Sequence, residues 1–159
     1  MASRKTCIPR GFTLVEITVV LGMFAIVGTM ALLMSMQSYG GYSFYTVRQL
    51  LVTTLQKARS EALANVCEGA VCTDGVAHGV HISSSELVLF QGIAYDPNDA
   101  ANVYLPLQNA NITITGASDV VFDPLTANVA LPDEIVVTDT KGRVSTTTLG
   151  AQGQLSWSN

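Results

Sequence analysis

Charge is missing from a long stretch early in this chain. Between Glu16 and Arg48 no Asp, Glu, Lys or Arg occurs, and the 159-residue sequence as a whole is 13% charged and 48% apolar. The mean hydropathy of +0.37 is high for a purely soluble protein. About twenty apolar residues, rising 1.5 Å each as a helix, span the roughly 30 Å hydrocarbon core of a bilayer. Residues 17–36 are therefore a transmembrane candidate. Arg4, Lys5 and Arg10 precede the run, and basic residues stay on the cytoplasmic side, so the N-terminus is expected inside and everything after about Gly40 outside.

Basic residues are scarce beyond that point. The chain has 8 Lys and Arg against 12 Asp and Glu; with three basic residues in the stub before Phe12, the remainder holds 8 − 3 = 5 against 12, net −7. An acidic exported portion argues against polyanions, nucleic acid included, as general partners. Catalytic signatures are missing too: there is no P-loop, no nucleophile elbow and no carboxylate pair in a diagnostic motif. The two histidines, His78 and His81, lie three apart in a strand-like segment, which points them to opposite faces. Asp96, Asn98 and Asp99 sit in "DPND", an ordinary turn sequence without an EF-hand pattern. No enzyme, metal or cofactor is expected.

Cysteine is sparse, with three in all. Cys7 falls on the cytoplasmic stub, whereas Cys67 and Cys72 fall outside, where an oxidising compartment favours a disulfide between them. Closing so short a loop contributes about 2 kcal/mol, a local clip. A zinc reading, C-x4-C-x5-H-x2-H with His78 and His81, leaves too short a central gap for a finger's helix.

Periodicity is plentiful. Phe44, Val47, Leu51, Leu55, Ala58, Ala62 and Val66 recur at spacings of 3, 4, 4, 3, 4 and 4, a single helical stripe. With Gly40-Gly41 as a soft joint, residues 12–66 are expected to form one helix, its transmembrane half at about 12–39, followed by an exported β-rich domain over 67–159. After "CEGAVCTDG" the period changes, and "HGVHI", "ELVLFQG", "NITIT", "DVVFD", "EIVVTD", "VSTTTL" and "GQLSW" read as short strands. "SSS" and "TDTKG" suit hairpin turns, and "YDPNDAANVYLPLQNAN" reads as surface loop. The expected architecture is α+β, a long helix laid against an antiparallel sheet whose apolar face needs the helical stripe as cover.

The opening motif, Arg10, Gly11, Phe12, Thr13, Leu14, Val15 and Glu16 running directly into the apolar helix, resembles the prepilin signal of type IV pilins and type II secretion pseudopilins. More loosely, "QKARSEALANV", the first two strands and "VVFDPLTANVALPDEIVVTDTKGRVSTTTLGAQGQL" look like the GspH/FimT group of minor pilins and pseudopilins, with a pilin-like fold. The resemblance implies a prepilin peptidase that cuts between Gly11 and Phe12, removes the 1–11 leader and N-methylates Phe12, leaving 159 − 11 = 148 residues. It implies that Glu16 then meets the N-terminal amine of a neighbouring subunit during assembly. The implied partners are that peptidase/N-methyltransferase, other pilins or pseudopilins, and an inner-membrane assembly platform. The implied location is the bacterial inner membrane, single-pass, then a pilus or periplasmic pseudopilus.

By itself Glu16, at the threshold of the apolar run, reads as a carboxylate solvated at the lipid interface; deeper in the bilayer, where a carboxylate costs up to roughly 2.5 to 3.5 kcal/mol on insertion scales, it would need a partner, and the motif "RGFTLVE" favours the assembly role. An ordinary cleaved signal ending at Ser38-Tyr39-Gly40 would leave Glu16 unexplained. The competing class is a signal-anchored exported binding module, such as a FimT-like DNA-uptake minor pilin. Its only DNA-contact candidates are Lys141 and Arg143, which a hairpin turn "DTKGR" explains without a ligand.

Overall fold

Thr13 starts the helix. In the computed structural model, which describes residues 11–67, 75–107, 111–130 and 134–158 (side chains of 33–40 excepted), the Glu16 amide donates to Thr13 Oγ1 at 3.3 Å. The Ile17 amide donates to the Thr13 carbonyl at 3.2 Å. Thr13 is thus the N-cap, and Thr-x-x-Glu is the spacing of a capping box. Helix α1 runs Leu14–Leu63, 50 residues, with Gly40 and Gly41 inside the helical backbone.

It stops three residues short of the predicted Val66. Asn65 adopts φ 53°, its amide donates to the Ala62 carbonyl at 3.1 Å, and the Val66 amide donates to the Glu61 carbonyl at 3.0 Å. These are the two bonds of a Schellman motif around a left-handed residue, a conformation Asn tolerates better than most.

The chain divides into two units, Met1–Gly41 and Tyr42–Asn159. In the first, Leu14–Leu32 has a mean hydropathy of 2.1 and no buried residue. The Thr18 and Thr29 hydroxyls donate back to the Val15 and Ile26 carbonyls at 2.9 and 2.8 Å, which hides their polar hydrogens within the helix. That is how hydroxyls are accommodated where surrounding water is absent.

The second unit carries eight strands: β1 His78–Ile82, β2 Glu86–Gln91, β3 Val103–Pro106, β4 Ile112–Gly116, β5 Asp119–Phe122, β6 Glu134–Asp139, β7 Val144–Leu149 and β8 Leu155–Ser158. They form two four-stranded antiparallel sheets, ordered β3-β2-β1-β5 and β4-β6-β7-β8, where one sheet was expected. Short strands read singly do not reveal where a ladder breaks, because sheet membership is set by long-range pairing.

β3 corrects the expected loop. Pro106 and the turn residues around it argue against a strand, but β3 is a sheet edge, where proline's missing amide faces no partner. "VYLP" also carries the β-branched and aromatic signal. The hairpins expected at "SSS" and "TDTKG" are present, with Ile82 paired to Leu87 and Thr138 to Val144.

One hydrophobic core draws on all three layers. Phe44, Val47, Leu51, Leu55, Ala58 and Ala62 of α1 pack with Val80, Leu87, Leu89 and Phe122 of the first sheet and Ile135, Val137 and Leu149 of the second. β2 is buried on both faces, since Phe90 also meets Tyr95 at 5.7 Å between ring centroids. A Cβ on Gly79, in the central strand β1, would lie 2.4 Å from the Phe90 ring and 2.8 Å from the Val120 carbonyl oxygen. Gly79→Ala is therefore expected to lower stability by about 1 to 3 kcal/mol, read as a fall in the denaturant midpoint of the full chain in detergent.

Candidate functional site

The predicted processing site lies where the described chain begins. Gly11 has open space where a side chain would be, Phe12 is 79% exposed, and Thr13 fixes the turn that follows. The basic stub, Arg4, Lys5 and Arg10 with Cys7, lies outside the described residues. Capping places Glu16 at the third helical position, exposed, and its carboxylate has no hydrogen-bond or ionic partner among the described residues. A helix start favours negative charge there. Cleavage of the Gly11–Phe12 peptide would create an ammonium four residues before that carboxylate and leave the cap intact.

The apolar surface behind this start is continuous. Leu14, Val15, Leu21, Met23, Phe24, Ile26 and further residues to Leu32 are 44 to 81% exposed, far beyond scattered surface apolar residues. A surface of that size needs lipid or protein around it.

The cysteines and histidines occupy separate settings. Cys67 is disulfide-bonded, and its predicted partner Cys72 lies outside the described residues. His78 is buried; its Nε2 donates to the Val66 carbonyl at 2.9 Å, and its Nδ1 lies 3.4 Å from Glu61 Oε2. His81 donates from Nδ1 to Asp119 Oδ1 at 2.7 Å and stacks on Tyr95 at 4.2 Å. Among the described residues no group of three or more His, Cys, Asp or Glu is placed to hold a metal. The "DPND" carboxylates serve their own turns: Asp96 Oδ1 accepts the Asn98 amide and Asp99 Oδ1 the Ala101 amide, each at 2.9 Å.

Lys141 and Arg143, the DNA-contact candidates, bracket the β6–β7 turn. Asp139 Oδ1 accepts both their backbone amides at 2.9 Å, while the Arg143 guanidinium forks onto Oδ2, its Nε at 2.7 Å. The same guanidinium lies 5.2 Å from the Phe44 ring centroid. Arg143 thus fastens the turn to the helix, and only Lys141 presents an exposed cation there.

Burial pushes the Asp139 carboxyl up, but the Arg143 side chain and the two amides outweigh it and hold the group below the ordinary carboxylate range. Its sign follows from linkage: stability from a depressed carboxylate is present above the unfolded value near 3.9 and lost as pH falls through the native one. Acid unfolding of the full chain in detergent is expected to steepen below about pH 4, and Asp139→Asn to flatten that limb.

Thr13 was not singled out from sequence, although Thr-x-x-Glu ahead of an apolar run is a legible capping signal. The helix flank beside β8 was also missed. Arg48 stands 6.0 Å over the Trp157 ring, and Arg59 lies further along the helix, lining a groove with Gln154 and Leu155.

Fold and helix together define an α+β protein led by one apolar helix, long enough to cross a membrane as an anchor or signal segment. No family model, curated protein or solved structure matches the chain.

Proposed function

We propose that the chain is a non-enzymatic structural subunit, of the minor kind, of a type IV pilus or type II secretion pseudopilus. A prepilin peptidase removes residues 1–11 and methylates Phe12, and the subunit enters the filament through its N-terminal helix. The observation that carries this reading is the sequence Arg10-Gly11-Phe12-Thr13-Leu14-Val15-Glu16 opening a helix whose apolar residues 14–32 are wholly exposed. Stored in the inner membrane, that surface lies in lipid; in a filament it exchanges lipid for the helices of neighbouring subunits and the assembly platform's other clients. Glu16 pairs with the new amine of an adjacent Phe12 and sets register.

The exported α+β unit is compatible with a pilin-like fold, because its core is closed by the helical stripe from Phe44 to Ala62 and makes no use of residues 14–32. DNA reception has less support: Arg143 is engaged by Asp139, and the portion beyond Phe12 is net −7 by the count above.

Co-expression of the full chain with a prepilin peptidase tests the processing step. The expected product is shorter by eleven residues and blocked by an N-methyl group on Phe12. An intact N-terminus would refute it.

A further inference from the structure

Three of the five basic residues beyond Phe12 gather at one end of the second unit, the end where its chain enters at Tyr42. Arg48 follows Tyr42 on α1. The Arg143 guanidinium lies 5.2 Å from the Phe44 ring centroid, which brings the β6–β7 turn, and Lys141 with it, to the same end. Strand β8 finishes there too: Arg48 stands 6.0 Å from the Trp157 ring centroid, and Ser145 Oγ donates to the Ser158 carbonyl at 3.1 Å. Asp139 shares this end and is taken by Arg143, whereas Arg48 and Lys141 have no carboxylate partner among the described residues. Glu61 and Asp123 belong to the other end, for the Leu125 amide donates to the Ala62 carbonyl at 2.8 Å, in the last turn of α1. An acidic unit thus keeps two unpaired cations where its chain enters.

The same end exposes aromatic rings. Tyr42 is 73%, Tyr45 55% and Trp157 51% exposed, while Phe44 between the tyrosines is in the core. Tyrosine and tryptophan have an apolar body and a polar tip, and they collect at the headgroup level of a bilayer, where lysine and arginine meet lipid phosphates. Beside the tyrosines, the Thr46 and Thr53 hydroxyls donate to the Tyr42 and Gln49 carbonyls at 2.9 and 2.8 Å. Thr18 and Thr29 hide their hydroxyls in the same way within the apolar stretch. In sequence, Tyr42 comes only six residues after residue 36, where the apolar run ends, and no charge intervenes before Arg48.

We propose that this end of the second unit docks on the anionic phospholipid surface that its N-terminal helix enters. Arg48 and Lys141 meet lipid phosphates, and Tyr42, Tyr45 and Trp157 lie at headgroup level. The acidic remainder is repelled by that surface, which orients the unit. The inference rests on the membrane-stored state of the reading above, and adds to it a contact that breaks when the subunit leaves the bilayer.

Trp157 is the chain's only tryptophan, so its fluorescence reports the contact. The test reconstitutes the full-length chain in vesicles of equimolar phosphatidylglycerol and phosphatidylcholine, with and without bromine on the upper part of the acyl chains, and in phosphatidylcholine alone. Bromine is expected to quench Trp157 in the mixed vesicles, less with added salt and least in phosphatidylcholine alone. Lys141→Gln and Arg48→Gln should each weaken docking about fivefold, and Lys141→Arg should retain it. Each variant is read against itself in unbrominated lipid, so that a changed ring environment cancels. Quenching that is absent, equal in phosphatidylcholine alone, or indifferent to salt and to both glutamine variants would overturn the proposal. Alkaline carbonate extraction of the same vesicles separates the two readings. A chain that stays in the bilayer with Trp157 unquenched refutes the docking alone; a chain that washes out refutes the membrane-stored state as well.

Discussion

Gly11→Val is expected to stay at its full 159 residues in the membrane fraction and to be absent from sheared filaments. A residue without Cβ lets the backbone pass extended through a narrow protease site; a branched side chain displaces the scissile carbonyl, and misplacement of about 1 Å costs on the order of 100-fold in rate. The substitution leaves the fold alone, because a Cβ at Gly11 would meet nothing within 4 Å. Immunoblots of membrane and filament fractions beside wild type check this. Cleavage at the wild-type rate would remove Gly11 from the recognition site.

Glu16 gives the second large effect, and two physical accounts of it diverge. As a helix-start residue it contributes through the helix dipole, typically 0.3 to 1 kcal/mol, which shifts little in a 50-residue helix. As the partner of an adjacent ammonium within lipid, it decides whether a subunit joins at all. Glu16→Gln separates them by size of effect, since it removes the charge at nearly constant shape, and losing the dipole term costs little whereas losing an ammonium partner costs the subunit its place. Glu16→Ala and Glu16→Gln are both expected to be cut normally and to enter filaments at least about tenfold less than wild type. Wild-type incorporation of the glutamine variant would leave only the helix-start account.

Which features were legible follows from the range of the physics involved. The stripe Phe44, Val47, Leu51, Leu55, Ala58 and Ala62 could be read directly, because helical burial repeats locally every 3.6 residues, and all six side chains are in the core. Val66 continued the spacing and yet lies beyond the helix, for the stop depends on Asn65 entering the left-handed region, a choice of one residue's backbone. Seven strands had β-branched runs between turn residues. β3 was hidden by Pro106, a breaker only where a ladder runs on both sides. The division into two sheets rests on pairings such as Val80 with Val120, forty residues apart, which leave no local trace.

The site was legible in parts. "RGFTLVE" is a local motif, so Gly11, Phe12 and Glu16 could be named from it. Arg143 drew notice as a cation, while its fork onto Asp139 was concealed in a turn that sequence shows only as "DTKGR". The groove that Arg59 lines with Gln154 and Leu155 was invisible because it joins residues nearly a hundred positions apart.

The most direct test of the filament account is the N-terminal mass of the chain recovered from purified pili or pseudopili. The account predicts a peptide that begins at N-methylated Phe12, with nothing of residues 1–11 attached. A chain that begins at Met1, or one confined to the membrane while filaments assemble normally without it, would contradict the account.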